Sequence, residues 1–202
     1  MKRPRAGVLW WMAGAFSMAV LLSAVALAVF GANQHGLDAA LMLTGRWAFL
    51  LFWCAYAGGG LAALLGGRFD ALRRYGREFG LAFAATMLVH VGLIALLCAI
   101  GNAPGTGVFV FFGIGLVCTY TLAAFSLAGL QRRLGRKSWW LLRTVAMTYI
   151  AYAFATDFVH DPFAGGLRHT LLYAPFALMS LAGFAAYAAA QALAARKALT
   201  TT

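Results

Sequence analysis

Leu72-Arg73-Arg74-Tyr75-Gly76-Arg77-Glu78-Phe79-Gly80-Leu81 runs directly into an apolar stretch, residues 82–100, that carries His90 in its middle. Arginines followed by about 20 apolar residues read as a basic interfacial loop feeding a membrane-spanning helix. An imidazole at the depth of His90 is costly unless it is paired or used, so His90 is the first candidate functional residue of the chain.

The composition supports this reading throughout. Of 202 residues, 63% are hydrophobic and 10% charged, and the mean hydropathy is +0.82. That much apolar surface exceeds what a soluble domain of this length can bury, and the class is a polytopic membrane protein in contact with the lipid bilayer. Sixteen Lys and Arg stand against five Asp and Glu. These cations fall in short clusters between apolar runs, a distribution set by membrane topology, and nucleic acid is discounted as a partner. Cys54, Cys98 and Cys118 all lie inside apolar segments without metal-type spacing and read as packing residues. Met1-Lys2-Arg3-Pro4-Arg5 resembles a secretory n-region, but the apolar run 8–30 is too long for a cleaved segment and is expected to remain as the first helix.

Six segments are long enough to span: 8–30, 46–66, 79–101, 107–130, 139–159 and 170–193. Short connections make successive helices antiparallel neighbours, so the expected fold is all-α, a single-domain polytopic bundle of six transmembrane helices over 1–202. Lys2, Arg3 and Arg5, then Arg68, Arg73, Arg74 and Arg77, then Arg132, Arg133, Arg136 and Lys137, then Arg196 and Lys197 alternate with loops that offer only Arg46 and Arg168. The bias places both termini in the cytoplasm and the chain in the inner (plasma) membrane.

Within the spans, the first helix holds no ionisable residue and reads as a peripheral anchor. The second carries Gly58-Gly59-Gly60, which suits close approach of a neighbouring helix, a kink or a flat ligand. On the third, Phe83, Thr86, Met87, His90, Leu93, Ile94 and Leu97 share one stripe. On the fifth, Thr144, Thr148, Tyr152 and Thr156 recur every fourth residue and are expected to look into the bundle. Arg143, about one turn inside the fifth helix, either snorkels to the headgroups or meets a haem propionate, a quinone oxygen or a lipid phosphate. Pro175 suggests a kink in the sixth.

Thr44-Gly45-Arg46-Trp47-Ala48, the Leu72 to Leu81 entry, His90, and Gln131-Arg132-Arg133-Leu134-Gly135-Arg136-Lys137-Ser138-Trp139-Trp140 together resemble the ferric reductase-like transmembrane superfamily. Within it they are most similar to the haem-b membrane subunit that feeds electrons to a periplasmic methionine sulfoxide reductase. The resemblance covers about helices 2 to 6. It implies an oxidoreductase membrane subunit in which b-type haem, held by histidine pairs between helices 3 and 5, passes electrons outward. The donor would be a cytoplasmic flavin reductase or a quinol, and the acceptor extracytoplasmic. His90 matches the helix-3 ligand, but Arg143 and Thr156 stand where the family places its helix-5 histidines. Arginine offers iron no lone pair and threonine is a poor haem ligand. Three readings stay open: His160 as a displaced ligand, a haem on His90 with Tyr152 or Met147 as a weak sixth partner, or loss of the haem with His90 bonded to a hydroxyl such as Tyr152.

A second cluster falls on the outer side. His35 and Asp38 form one pair, Asp157 and His160 another, with Asp161, Arg168 and His169 nearby. Asp157 and His160 share a helix face and could reach one zinc or iron ion, or Asp157 could simply pair with Arg168 or Arg46. Function therefore divides between a haem-b electron-transfer subunit and a haem-free relative serving as a membrane scaffold or assembly partner. A solute transporter is a weaker reading, because the chain shows no internal repeat and no buried charged path.

Overall fold

The computed structural model describes residues 5–159 and 166–200. These form six long helices: α1 (Arg5–Phe30), α2 (Gln34–Leu65), α3 (Asp70–Ala99), α4 (Thr106–Ala128), α5 (Gly135–Val159) and α6 (Gly166–Thr200), with short 3-10 turns at Gly67–Phe69 and Leu130–Arg132. Among the described residues there is no strand. Five helices, all but α5, are long and apolar enough to cross a membrane. The fifth, 25 residues long, has the length, but Arg143 and its hydroxyl residues lower its hydropathy. It packs between α4 and α6. The architecture is the all-α polytopic membrane bundle expected from the sequence.

The boundaries differ from the apolar segments in an instructive way. The second helix begins at Gln34, capped by Asn33, whose side chain accepts from the Gly36 N–H at 3.1 Å. Arg46 is therefore an interior residue of α2 and not part of an outer loop. The Arg73–Arg77 stretch is likewise helical, inside α3. Arginine is a good helix former, so basic residues mark where a helix leaves the apolar layer and do not end the helix itself.

The centre of the bundle is α2, which contacts α1, α3, α5 and α6. Its Thr44-Gly45-Arg46-Trp47 stretch ties it to three of these neighbours. The Trp47 indole donates to the Ala15 carbonyl of α1 at 3.2 Å. Arg46 donates to the Leu172 carbonyl of α6 at 3.1 Å and lies over the rings of Tyr173 and Phe176, 5.1 and 5.4 Å from their centroids. Thr44 and Gly45 meet His90 of α3. The first helix is peripheral as expected: it buries Val8, Ala15, Ala19 and Ala26 and turns Leu9, Trp10 and Val29 outward. The interior is aromatic, with Phe52, Phe83 and Phe154 in mutual contact at centroid distances of 5.4 to 6.0 Å.

Candidate functional site

The α3 stripe faces the core. Phe83, Thr86, Leu93 and Leu97 are buried, and Met87, His90 and Ile94 half-buried. His90 points to α2. Its Nδ1 lies 2.9 Å from Thr44 Oγ1, and that oxygen is 2.8 Å from the Ala40 carbonyl. A carbonyl can only accept, so the threonine proton goes to Ala40, and Thr44 accepts from His90 Nδ1–H. This tautomer leaves the lone pair on Nε2, which has no partner among the described residues. Thr44 is fully buried, and Gly45 packs against the ring, where an added Cβ would stand 3.5 Å from His90 Cε1. The hydroxyl that satisfies His90 is thus Thr44 on α2, in place of the expected Tyr152 on α5.

The hydroxyl stripe of α5 does not form one inward face. Helical residues advance about 100° each, so a spacing of four drifts about 40° per step and winds about 120° around the axis from Thr144 to Thr156. Thr148 and Tyr152 are exposed, Tyr152 at 54%. The buried face is Ala146, Ile150, Ala151, Ala153 and Phe158. The first two hydroxyls lie towards the tyrosines of α2 and α6, Thr144 accepting from Tyr187 at 3.3 Å and Thr148 neighbouring Tyr56, whereas Thr156 donates to the Ala153 carbonyl of its own helix at 2.8 Å. Tyr152 packs edge-on against Phe111 of α4, 5.9 Å between centroids.

The side chains present do not fit a haem between α3 and α5. Tyr152 and Thr156 lie off the buried face of α5, and Phe52, Phe83 and Phe154 fill the interval between the two helices, although the bond from His90 Nδ1 to Thr44 would itself leave Nε2 open to a ligand. Met147 packs against the same apolar core. His160 lies outside the described residues.

Arg143 helps to line a crevice of about 90 Å³ at the arginine-rich end of the bundle, between α3, α4 and α5 with α2 at its floor. Arg77 stands across from it on α3 and is fixed to α4, donating through Nε to Ser126 Oγ and through Nη2 to the Ser126 carbonyl, both at 3.0 Å. Trp139 closes one side, stacked on Phe125. Deeper in, the walls are apolar: Phe52, Phe83, Leu122, Met147 and Ile150.

At the opposite end, Asp157, Arg46, Tyr173 and His169 follow one another as neighbours, and His35 stands apart from them. His35 packs edge-on against Phe30, and His169 stacks on Tyr173 at 4.2 Å. Asp157 is exposed at the end of α5, with Arg46 as its charged neighbour. Among the described residues, no three His, Cys, Asp or Glu converge as a metal site would require. Asp161 and the side chain of Arg168 lie outside the described set.

Set against known proteins, the chain matches no family model, no curated protein and no solved structure. Fold and side chains define its class: an all-α integral membrane bundle, with a bond between His90 and Thr44 joining α3 to α2 and a crevice lined by Arg77 and Arg143.

Proposed function

We propose that this chain is a haem-free membrane bundle, a divergent relative of the ferric reductase-like domains, that acts as a scaffold or assembly partner. The observation that carries the reading is the aromatic packing of Phe52, Phe83 and Phe154, which occupies the space between α3 and α5, while the His90 imidazole joins α3 to α2 through Thr44. An intramembrane imidazole bonded to a buried hydroxyl has a sufficient structural role. The visible spectrum tests this directly. Protein expressed with added haem and purified in mild detergent is expected to be colourless before and after dithionite. A Soret band near one haem per chain, lost in His90→Ala, would overturn the reading.

One observation favours the second reading, a haem-b subunit moving electrons from a cytoplasmic donor, flavin or quinol, to an extracytoplasmic acceptor. His90 Nε2 carries a lone pair without a partner among the described residues. The same spectrum decides between the two.

The proposed topology places the basic end and both termini in the cytoplasm of a cell with the protein in its inner membrane. Support comes from antiparallel alternation, which brings Arg73, Arg74 and Arg77, Arg132, Arg133, Arg136 and Lys137, and Arg196 to one end. In intact cells, an Ala32→Cys variant is expected to react with a membrane-impermeant maleimide, and Arg136→Cys only after permeabilisation. The reverse pattern would invert the topology.

A further inference from the structure

The crevice between α3, α4 and α5 has a polarity gradient that neither packing nor the haem question explains. Arg77 and Arg143 line it at the basic end of α3 and α5, and phenylalanine, isoleucine and methionine line it further along the same helices. Arg77 is held in place by Ser126. Arg143 makes no hydrogen bond or ion pair among the described residues. Of the acids at this end, Asp70 is held by Arg73 at 3.2 Å, and Glu78 is buried and is not among the crevice-lining residues.

Snorkelling alone accounts for a cation at this depth, but it does not account for two arginines, one on α3 and one on α5, lining the same apolar-floored crevice. Guanidinium groups bind phosphate oxygens through planar, paired N–H donors, and a site with two of them prefers net negative charge. Inorganic phosphate matches the mouth but gains nothing from the floor. A partner helix would match the floor, but a space of about 90 Å³ is too narrow to admit one. A molecule with an anionic head and an apolar tail matches both, and the surrounding bilayer supplies it at high local concentration.

We propose that this crevice binds an anionic glycerophospholipid, with its phosphate between Arg77 and Arg143 and the start of an acyl chain along Phe83, Met147 and Ile150. The lipid would bridge α3, α4 and α5, where α4 meets α3 through few polar ties: Arg77 to Ser126 and Tyr120 to the Ala84 carbonyl at 3.4 Å. Lipid binding at this end is independent of whether haem is bound.

Native mass spectrometry of the full chain, released from detergent after incubation with phosphatidylglycerol or with phosphatidylcholine of the same acyl chains, provides the test. The wild type is expected to retain phosphatidylglycerol in preference to phosphatidylcholine. Arg77→Gln with Arg143→Gln is expected to lower that retention about tenfold, the effect of losing charge-assisted contacts, while Arg136→Gln on the exposed surface leaves it unchanged. Met147→Trp, which fills the floor and keeps both arginines, is expected to lower it as well, and this variant separates loss of the site from loss of charge. Helical circular dichroism confirms that each variant remains folded. Equal retention of the two lipids, retention unchanged in the double variant, or displacement of the lipid by millimolar inorganic phosphate would each overturn the proposal.

Discussion

Gly60→Leu is expected to force α2 and α6 apart and to destabilise the bundle strongly. A Cβ added at Gly60 would stand 2.6 Å from the Ala186 carbonyl oxygen and 2.9 Å from its carbon. Both are backbone atoms of α6, so no rotamer can yield, and one helix must move. Overpacking of a well-filled contact typically costs about 1–3 kcal/mol and more where backbone must shift, so about 3 kcal/mol or above is expected. Movement of α6 also disturbs the Trp53 indole bond to the Met179 carbonyl at 2.7 Å and the Arg46 bond to Leu172. The neighbouring glycine provides the control. Nothing lies within 4 Å of a Cβ at Gly59, and Gly59→Ala is expected to be neutral or to stabilise by up to about 1 kcal/mol through helix propensity. Unfolding in mixed detergent micelles, followed by helical circular dichroism, measures both. Equal effects of the two substitutions would show that the α2–α6 contact is not as close as described.

That glycine triplet also shows how much of the fold a single sequence makes legible. Close helix approach is readable from Gly58-Gly59-Gly60, but which glycine meets which helix is not, because it depends on the rotation of α2 within the bundle. The same distinction runs through the rest of the chain. Apolar length locates the spans, since burial in lipid leaves a compositional trace in each segment separately. Helix ends are less legible. Arg46 reads as a boundary, yet a long aliphatic stem and two carbonyl acceptors, Met42 and Leu172, let it sit inside α2.

Site residues follow a similar rule. His90 stands out alone because one imidazole in an apolar run is visible in one segment. Its partner is not visible, because the choice between Thr44 on α2 and Tyr152 on α5 is made by tertiary packing. A signal was present in the Thr44-Gly45 pair, a buried-type hydroxyl beside a residue small enough to admit a ring. The α5 stripe misleads for a geometric reason: spacing by four looks like one face over two turns and winds away from the core over a little more than three. The crevice is half legible. Arg143 and its nearness to the headgroup depth can be read directly, whereas Arg77 and Ser126 come to it only through the meeting of α3 and α4.

Thr44→Val is expected to destabilise the bundle by about 1–3 kcal/mol, the cost of leaving a buried donor unsatisfied. Valine keeps the shape of threonine and removes the oxygen that accepts from His90 Nδ1–H. His90→Leu alone is expected to cost less, because Thr44 retains its bond to the Ala40 carbonyl at 2.8 Å. Replacing both partners removes the unsatisfied group along with the bond, so Thr44→Val with His90→Leu is expected to recover much of the loss caused by Thr44→Val. The resulting coupling energy of about 0.5–3 kcal/mol, measured as a double-mutant cycle by unfolding in mixed micelles, is what a structural tie between α2 and α3 requires. A ligand role predicts a different pattern. If His90 serves iron through Nε2, its removal must cost more than removal of Thr44, and the double variant must be no more stable than His90→Leu. The cycle therefore separates a histidine that holds two helices together from one that holds a cofactor, by stability alone and without reference to colour.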